Sequence, residues 1–206
     1  MEWVNIKKMI QSFKESSQAL SESKNYSAIV KNGQNPHSFL ICCCDSRVDP
    51  TVLFQNNPGE VFELRTIANI IPPFRDIKGS TVTATIEFVL QNLELDNIII
   101  LGHSDCAGVS ALCKMEGKAQ NNIEEWLEPM LNSKKIELDS TPKKIKSYND
   151  QQCLKTLRQS KENLMTYPNA AEIIKEKGID VHTWFYDMKH KDLYSLEENS
   201  FVCISD

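Results

Sequence analysis

The sequence predicts an α/β fold, a single domain with a central, mostly parallel β-sheet flanked by helices. Residues 39–44 and 97–101 are short, almost continuously apolar runs, which is typical of strands buried on both faces. Between them, residues 80–95 repeat apolar side chains at the spacing of an amphipathic helix. Strands that alternate with helices indicate crossover connections and therefore a parallel sheet.

The opening segment is predicted to be a helix, because its apolar residues recur every three or four positions and form one stripe. We assign residues 1–22 to an N-terminal helical arm within one domain that spans residues 1–206. The stripe could pack on its own domain or on a neighbouring subunit, and the spacing favours neither. Its members are Trp3, Ile6, Met9, Ile10 and Phe13.

The remaining elements follow from local patterns. Ser80 is a plausible N-cap for the helix over residues 80–95. The chain from 107 to about 177 is predicted to be mainly helical, with a polar interruption over 133–150. Three further strands are predicted, at residues 61–64, 180–186 and 201–204, the last as an edge strand.

Composition excludes several classes of function. The chain has 206 residues, 41% of them hydrophobic and 25% charged, with a net charge of -5. No apolar run approaches the roughly 18 to 20 residues that cross a bilayer, and mild acidity gives no electrostatic reason to bind nucleic acid. Residues 1–13 show no secretory pattern, because charged side chains interrupt them. We expect a cytoplasmic location, with neither nucleic acid nor membrane as a partner.

Seven cysteines are an odd number, and three of them, Cys42, Cys43 and Cys44, are consecutive. In a chain expected in a reducing compartment, metal binding or thiolate chemistry explains them better than disulfides do. Alternation along a strand predicts that Cys42 and Cys44 are packing residues on the face opposite Cys43.

Two polar motifs follow the two most strongly predicted strands. Cys43 to Arg47 reads Cys-Cys-Asp-Ser-Arg, and His103 to Cys106 reads His-Ser-Asp-Cys. Ligands bind at the carboxyl ends of parallel strands, so we expect the motifs to converge. Two thiolates and one imidazole suit zinc and leave a fourth tetrahedral position open, as in catalytic sites. The sequence therefore predicts a catalytic zinc centre.

These motifs identify a resemblance to the β-class carbonic anhydrases, and to their plant-like branch. The family motif C-x-D-S-R matches Cys43, Asp45, Ser46 and Arg47, and H-x-x-C matches His103 and Cys106. The resemblance implies that Cys43, His103 and Cys106 bind zinc and that Asp45 and Arg47 form the catalytic dyad. It also implies substrate-binding roles for three further residues, Gln34, Phe62 and Phe88, the last at a position where the branch has tyrosine.

The resemblance further implies the reaction and the assembly. The reaction would be zinc-dependent, reversible hydration of carbon dioxide to bicarbonate and a proton through zinc-bound hydroxide. The assembly would be a homodimer or a higher even homo-oligomer, with the active site near the subunit boundary. Two alternatives stay open. One is a related zinc hydrolase of carbonyl sulfide or carbon disulfide, and the other is a non-catalytic zinc or thiol-sensing module in which a fourth ligand, for example Asp45, closes the metal site.

Overall fold

The computed structural model describes residues 6–75 and 80–205. One sheet has the strand order β2-β1-β3-β4-β5-β6. The first four strands in this order are parallel neighbours, whereas β5 and β6 pair antiparallel. The predicted mostly parallel α/β sheet is confirmed. The strands are β1 (Ser38–Cys43), β2 (Val61–Thr66), β3 (Asn97–His103), β4 (Asp180–Asp187), β5 (Asp192–Glu197) and β6 (Ser200–Cys203).

Helices connect and flank the strands, as predicted. Within the described residues, no helix combines the length and apolarity needed to cross a membrane. Two 3-10 segments, Ile67–Asn69 and Glu128–Lys135, complete the connections. The helices are α1 (Ile6–Glu22), α2 (Lys24–Asn32), α3 (Pro50–Phe54), α4 (Thr81–Asn92), α5 (Ala107–Lys114), α6 (Asn122–Leu127), α7 (Tyr148–Leu164) and α8 (Ala170–Lys177).

The central strand β1 is buried along its whole length, which explains why it reads as a continuous apolar run. It pairs with β2 on one side and β3 on the other. Its side chains alternate between two apolar clusters, so that Ile41 and Cys43 belong to the main core and Cys42 belongs to a smaller one. The position of Cys43 on the main-core face is what brings it to the candidate site.

The helix predicted over residues 80–95 is observed as α4. Ser80 is its N-cap, and the Ser80 hydroxyl accepts a hydrogen bond from the Thr83 amide at 3.4 Å. Side chains of α4, α5 and α7 cover the main face of the sheet through Val89, Leu112 and Leu157, each fully buried. These helices cover the face of the sheet to which Cys43 belongs.

The second face of the sheet has a smaller core. Its buried residues are Leu40, Cys42, Val48 and Leu101, and α3 contributes the half-buried Phe54. Strand side chains on this face that are only partly buried include Val61, Trp184 and Tyr186. One chain therefore leaves part of this apolar face accessible.

The apolar stripe of α1 is exposed. Ile6, Met9, Ile10 and Phe13 are between 51% and 70% exposed, and α1 buries none of its residues. Trp3, the remaining member of the predicted stripe, lies outside the described residues. The stripe does not pack on its own domain, which leaves a neighbouring subunit as the other alternative.

The strands late in the chain were only partly predictable. β4 and the edge strand β6 agree with the predictions to within one residue at each end. β5 was not predicted, because only Tyr194 and Leu196 in it are buried and the alternation is too short to stand out. β5 follows a turn in which Lys191 has a φ of 66°, and it pairs antiparallel with β4. The short helices α2 and α3 were also missed.

Candidate metal centre

The loops that follow β1 and β3 bring the two motifs together. The strands are parallel neighbours, paired as far as Cys42 and Leu101, so their carboxyl ends lie at one edge of the sheet. Cys43 ends β1 and His103 ends β3, while Cys106 is the N-cap residue of α5. The predicted convergence of the two motifs is confirmed.

Cys43, His103 and Cys106 form a compact group of potential metal ligands. The two sulfur atoms are 3.9 Å apart, and all three ligand atoms lie within 4.8 Å of one another. A tetrahedral zinc ion with Zn–S bonds of about 2.3 Å would separate two sulfurs by about 3.8 Å, so the group fits zinc. All three residues are buried. Three ligands leave one coordination position for another molecule.

The His103 ring is oriented for metal binding. Its Nδ1 lies 2.9 Å from the Ser104 carbonyl oxygen, which can only accept, so Nδ1 carries the hydrogen. Its Nε2 is buried and has no hydrogen-bond partner among the described residues. An unsatisfied buried lone pair is costly, and a metal ion would satisfy it. The chemistry of this atom independently supports a metal at the site.

The two thiols differ in their affinity for a proton. A hydrogen bond from the Cys106 thiol lowers the pKa of Cys43 to about 4, against the opposing effect of burial and with help from His103. The same contact, together with burial, raises the pKa of Cys106. Of the two sulfurs, Cys43 therefore gives up its proton more readily. A metal ion bound by both sulfurs would need both of them deprotonated.

The neighbouring cysteines take no part in this group. Burial raises the pKa of Cys42 to about 12, which keeps it a neutral packing residue as predicted. The prediction that Cys44 is also a packing residue is wrong, because Cys44 is exposed. The strand ends at Cys43, so the alternation that would have buried Cys44 no longer applies.

Asp45 and Arg47 form a two-pronged ion pair beside the three ligands. Arg47 Nε donates to Asp45 Oδ1 at 3.0 Å and Arg47 Nη2 donates to Asp45 Oδ2 at 2.7 Å. The Arg47 amide also donates to Oδ1. These contacts hold the pKa of Asp45 well below its usual range. Asp45 Oδ2 is 3.9 Å from His103 Nε2, so an ionised acceptor lies next to the open coordination position.

A family model described as carbonic anhydrase matches residues 38–193, which include every residue of this site. The chain belongs to the carbonic anhydrase family. It is 32% identical over 165 residues to chloroplastic β carbonic anhydrase 5 of Arabidopsis thaliana, a match that covers 77% of this chain and 53% of that protein. A carbonic anhydrase of Synechocystis sp. is 28% identical, over 82% of this chain and 62% of that protein.

Solved β-carbonic anhydrases have the same fold. The β-carbonic anhydrase CcaA superposes with a TM-score of 0.79 at 26% identity, covering 95% of this chain and 100% of that one. Tetrameric β-carbonic anhydrases from Sordaria macrospora share the fold at a TM-score of 0.73 and 24% identity, over 91% of this chain and 94% of that one. The family is therefore the β class. The chain spans only 53% to 62% of the length of the curated relatives that it matches.

The family resemblance also assigned Gln34, Phe62 and Phe88 to the substrate, and the structure places them away from the metal ligands of the same chain. Phe62 pairs with Phe39 in the sheet, four rows from Cys43, which is about 13 Å along the strand. Phe88 stacks on Phe62 with ring centroids 5.9 Å apart. Gln34 is exposed, ahead of β1. These three residues lie towards the opposite edge of the sheet.

Three residues that support the candidate site were not predicted to do so. The Arg65 guanidinium donates to the carbonyl oxygens of Cys43, Asp45 and Val48, and so fixes the loop after β1. Asp105 contacts Arg47, and Asp150 accepts the Asp105 amide. Asp105 lies within a motif that was recognised. Asp150, 45 positions further along the chain, gives no local signal of this contact.

Proposed function

We propose that this protein catalyses the zinc-dependent, reversible hydration of carbon dioxide to bicarbonate and a proton. Cys43, His103 and Cys106 would hold the zinc ion. Family membership supports this reaction, and the observation on which the proposal chiefly rests is the buried Cys2His group with Asp45 beside it. Because the chain spans only part of its curated relatives, activity is to be measured on the protein itself.

The side chains around the site have distinct roles in this reaction. A zinc ion bound there would lower the pKa of a bound water molecule towards roughly 7. Asp45 is an ionised acceptor, so it would orient a ligand that has a proton to donate and would disfavour one that has none. Arg47 keeps Asp45 ionised and binds both of its oxygens, which disfavours Asp45 itself as a fourth ligand.

A homo-oligomer would complete the substrate pocket. Phe62 and Phe88 form a stacked apolar wall that is too distant to serve the metal ligands of their own chain. We infer that this wall and Gln34 face the metal centre of a neighbouring copy. The exposed stripe of α1 and the partly covered second face of the sheet offer apolar surface for such an assembly. Tetramers described for Sordaria macrospora relatives are consistent with it.

The Arg47 contact disfavours a purely structural zinc module. Such a site would need a fourth protein ligand, and Asp45 is the nearest carboxylate, but Arg47 binds both of its oxygens. Carbonyl sulfide and carbon disulfide are the other candidate substrates, because they have the same linear shape and an electrophilic carbon. No described residue distinguishes them, so the assay includes all three.

Stopped-flow measurement of carbon dioxide hydration tests the proposal. The zinc-loaded protein is compared with protein stripped of metal by a chelator and with the stripped protein reloaded with zinc. We expect activity that is lost on stripping and recovered on reloading. Zinc-loaded protein no faster than metal-free protein would refute the proposal, and a faster rate with carbonyl sulfide would reassign the substrate.

We further propose a reducing compartment, and specifically the cytoplasm, as the location. All seven cysteines are free thiols, and oxidation of Cys43 or Cys106 would remove a metal ligand. Fractionation of the source cells with an antibody checks the location. Recovery in a compartment that forms disulfides would contradict it.

A further inference from the structure

Arg47 contacts a second aspartate besides Asp45, and this contact joins the two loops of the metal site. Arg47 Nη1 donates to Asp105 Oδ2 at 2.9 Å, and Arg47 Nη2 donates to the Asp105 carbonyl oxygen at 3.0 Å. Nε and Nη2 also donate to the Asp45 carboxylate. The planar guanidinium group is therefore held on two sides by aspartates from different loops.

The first turn of α7 holds Asp105 in place. Asp105 has a φ of 55°, a left-handed conformation that residues other than glycine adopt mainly where surrounding contacts enforce it. Asp150 Oδ1 accepts the Asp105 amide at 2.6 Å, and Asn149 Nδ2 donates to the Cys106 carbonyl oxygen at 3.4 Å. Ser147 caps this turn. The Asp105 carboxylate and carbonyl are thus directed at Arg47 by a separate helix.

We propose that Asp105 is a positioning residue that acts on Asp45 through Arg47, an inference that rests on the proposed function. The Arg47 side chain is 50% exposed, so an ion pair with Asp45 alone would leave it free to turn towards solvent. Contacts with Asp105 keep Arg47 on both Asp45 oxygens. An Asp45 released from Arg47 could turn towards His103 Nε2, 3.9 Å away, and compete for the metal.

Two substitutions of Asp105 separate this role from that of an ordinary surface ion pair. Glycine adopts a φ of 55° without strain, so Asp105→Gly keeps the backbone conformation and the position of the carbonyl oxygen and removes only the carboxylate. Asparagine also tolerates this conformation, and Asp105→Asn keeps an oxygen that can accept from Arg47 Nη1. We therefore expect Asp105→Asn to rescue what Asp105→Gly loses.

Glu198→Gly is a matched control. Glu198 is an exposed acidic residue with a φ of 53°, in the turn between β5 and β6. Because β5 runs antiparallel to β4, this turn lies at the sheet edge opposite the metal centre. The control removes the same charge from the same kind of backbone without touching Arg47.

The zinc-loaded proteins are compared by the pH dependence of carbon dioxide hydration and by crystal structures. Hydroxide competes better with a carboxylate for the metal as the pH rises. We therefore expect Asp105→Gly to lose about fivefold in rate near neutral pH and to need a higher pH for half-maximal activity. Asp105→Asn and Glu198→Gly should stay within about twofold of the unaltered protein. The Asp105→Gly structure should show Arg47 turned away from Asp45.

The crystal structures separate this inference from the proposed reaction. If the unaltered zinc-loaded protein hydrates no carbon dioxide, the reaction is refuted, while the positions of Arg47 and Asp45 still test the role of Asp105. Retention of both Arg47–Asp45 contacts in Asp105→Gly overturns the inference, whatever the zinc content or activity. A loss of those contacts in Glu198→Gly also overturns it.

Discussion

At the scale of single residues, the candidate centre assigns two proposed roles to different side chains, binding the metal and directing its chemistry. Cys43, His103 and Cys106 are buried and would supply the ligand atoms, whereas the Asp45 carboxylate lies beside them and is held by hydrogen bonds from Arg47. Substitution of a proposed ligand residue would remove a bond to the metal. Substitution of Asp45 would remove only a hydrogen-bond acceptor and leave the three proposed ligands in place. The two groups should therefore respond differently to substitution.

Substitution of Asp45 should abolish most activity and spare the metal. We expect Asp45→Ala to retain about one zinc per chain and to lose about a hundredfold in carbon dioxide hydration, the size of a typical proton-handling contribution. Elemental analysis and stopped-flow kinetics measure the two quantities. Full activity in Asp45→Ala would disprove the role given to Asp45.

Substitution of Cys43, in contrast, should remove the metal itself. Cys43→Ser replaces a sulfur ligand by a hydroxyl that stays protonated near neutral pH, so we expect the zinc content to fall well below one per chain. Cys44→Ser is the matched control, because Cys44 is exposed and adjacent, and it should keep its zinc. Equal zinc in the Cys43→Ser and Cys44→Ser proteins would rule out Cys43 as a ligand.

At the scale of elements, β3 packs closely against α7 next to His103. Gly102 precedes His103, and a Cβ atom there would lie 2.8 Å from Leu157 Cδ1 on α7. Leu157 is fully buried and has little room to move. The absence of a side chain at Gly102 therefore lets the helix approach the strand that bears a metal ligand.

A methyl group at this contact should destabilise the protein. We expect Gly102→Ala to lower the free energy of unfolding by about 1–3 kcal/mol through overpacking. Leu157→Ala opens space opposite residue 102. It should therefore lower the free energy of unfolding less in the Gly102→Ala protein than in the unaltered protein. Urea unfolding of the four proteins of this double-mutant cycle gives the coupling. Strict additivity would show that the two sites do not interact.

The turn between β4 and β5 depends on a buried carboxylate. The Asp187 carboxylate accepts hydrogen bonds from the His190 ring Nδ1, at 2.6 Å, and from the backbone amides of Lys189 and His190. Burial works to raise the pKa of Asp187, but these hydrogen bonds outweigh it and hold the pKa below its usual value. A lowered carboxyl pKa stabilises the fold above the unfolded-state value near about 4, and this contribution is lost as the pH falls through the folded-state value.

The stability of this turn should therefore depend on pH in a defined direction. At neutral pH, Asp187→Asn should lower the free energy of unfolding by about 1.5–3 kcal/mol, the usual contribution of hydrogen bonds to a charged group. The difference between the two proteins should shrink as the pH falls from about 5 towards 3. Urea unfolding at several pH values, at equal zinc content, measures it. A difference that stays constant with pH would contradict the assignment.

At the scale of the whole molecule, one chain leaves two apolar surfaces uncovered. One is the α1 stripe, whose Phe13 is 70% exposed, and the other is the second face of the sheet around Trp184. Exposed contiguous apolar surface commonly marks an interface between proteins. The residues proposed to contact substrate also lie away from the metal ligands of their own chain. Both observations agree with a homo-oligomer.

A charge on the α1 stripe should weaken that assembly. We expect the unaltered protein to be a dimer or larger by light scattering after size-exclusion chromatography. Phe13→Asp should shift the population towards a smaller species, because an aspartate would lose its solvation in an apolar contact. Ser12→Asp places the same charge on the neighbouring polar face as a control. A monomeric unaltered protein, or equal masses for both variants, would exclude the arm from the interface.

Much of the fold could be predicted from the sequence because its signals are local. The buried runs of β1 and β3, the spacing in α4 and the Ser80 cap each depend on neighbouring residues. β5 could not be predicted, since it has few buried side chains and forms by pairing with β4, which the local sequence does not indicate. Cys44 was misassigned because alternation does not tell where a strand ends.

The sequence by itself determined which residues are proposed as the ligand set and the dyad, because each motif is contiguous and follows a recognisable strand. Only the tertiary structure decided how Arg47 is held. Arg47 contacts Asp105, which is 58 positions further along the chain, and Asp105 is in turn held by Asp150, another 45 positions further on. The tertiary structure also decided that Phe62 and Gln34 do not serve the metal ligands of their own chain. Strand register sets that separation, and register depends on pairing between distant segments, which no single stretch of sequence encodes.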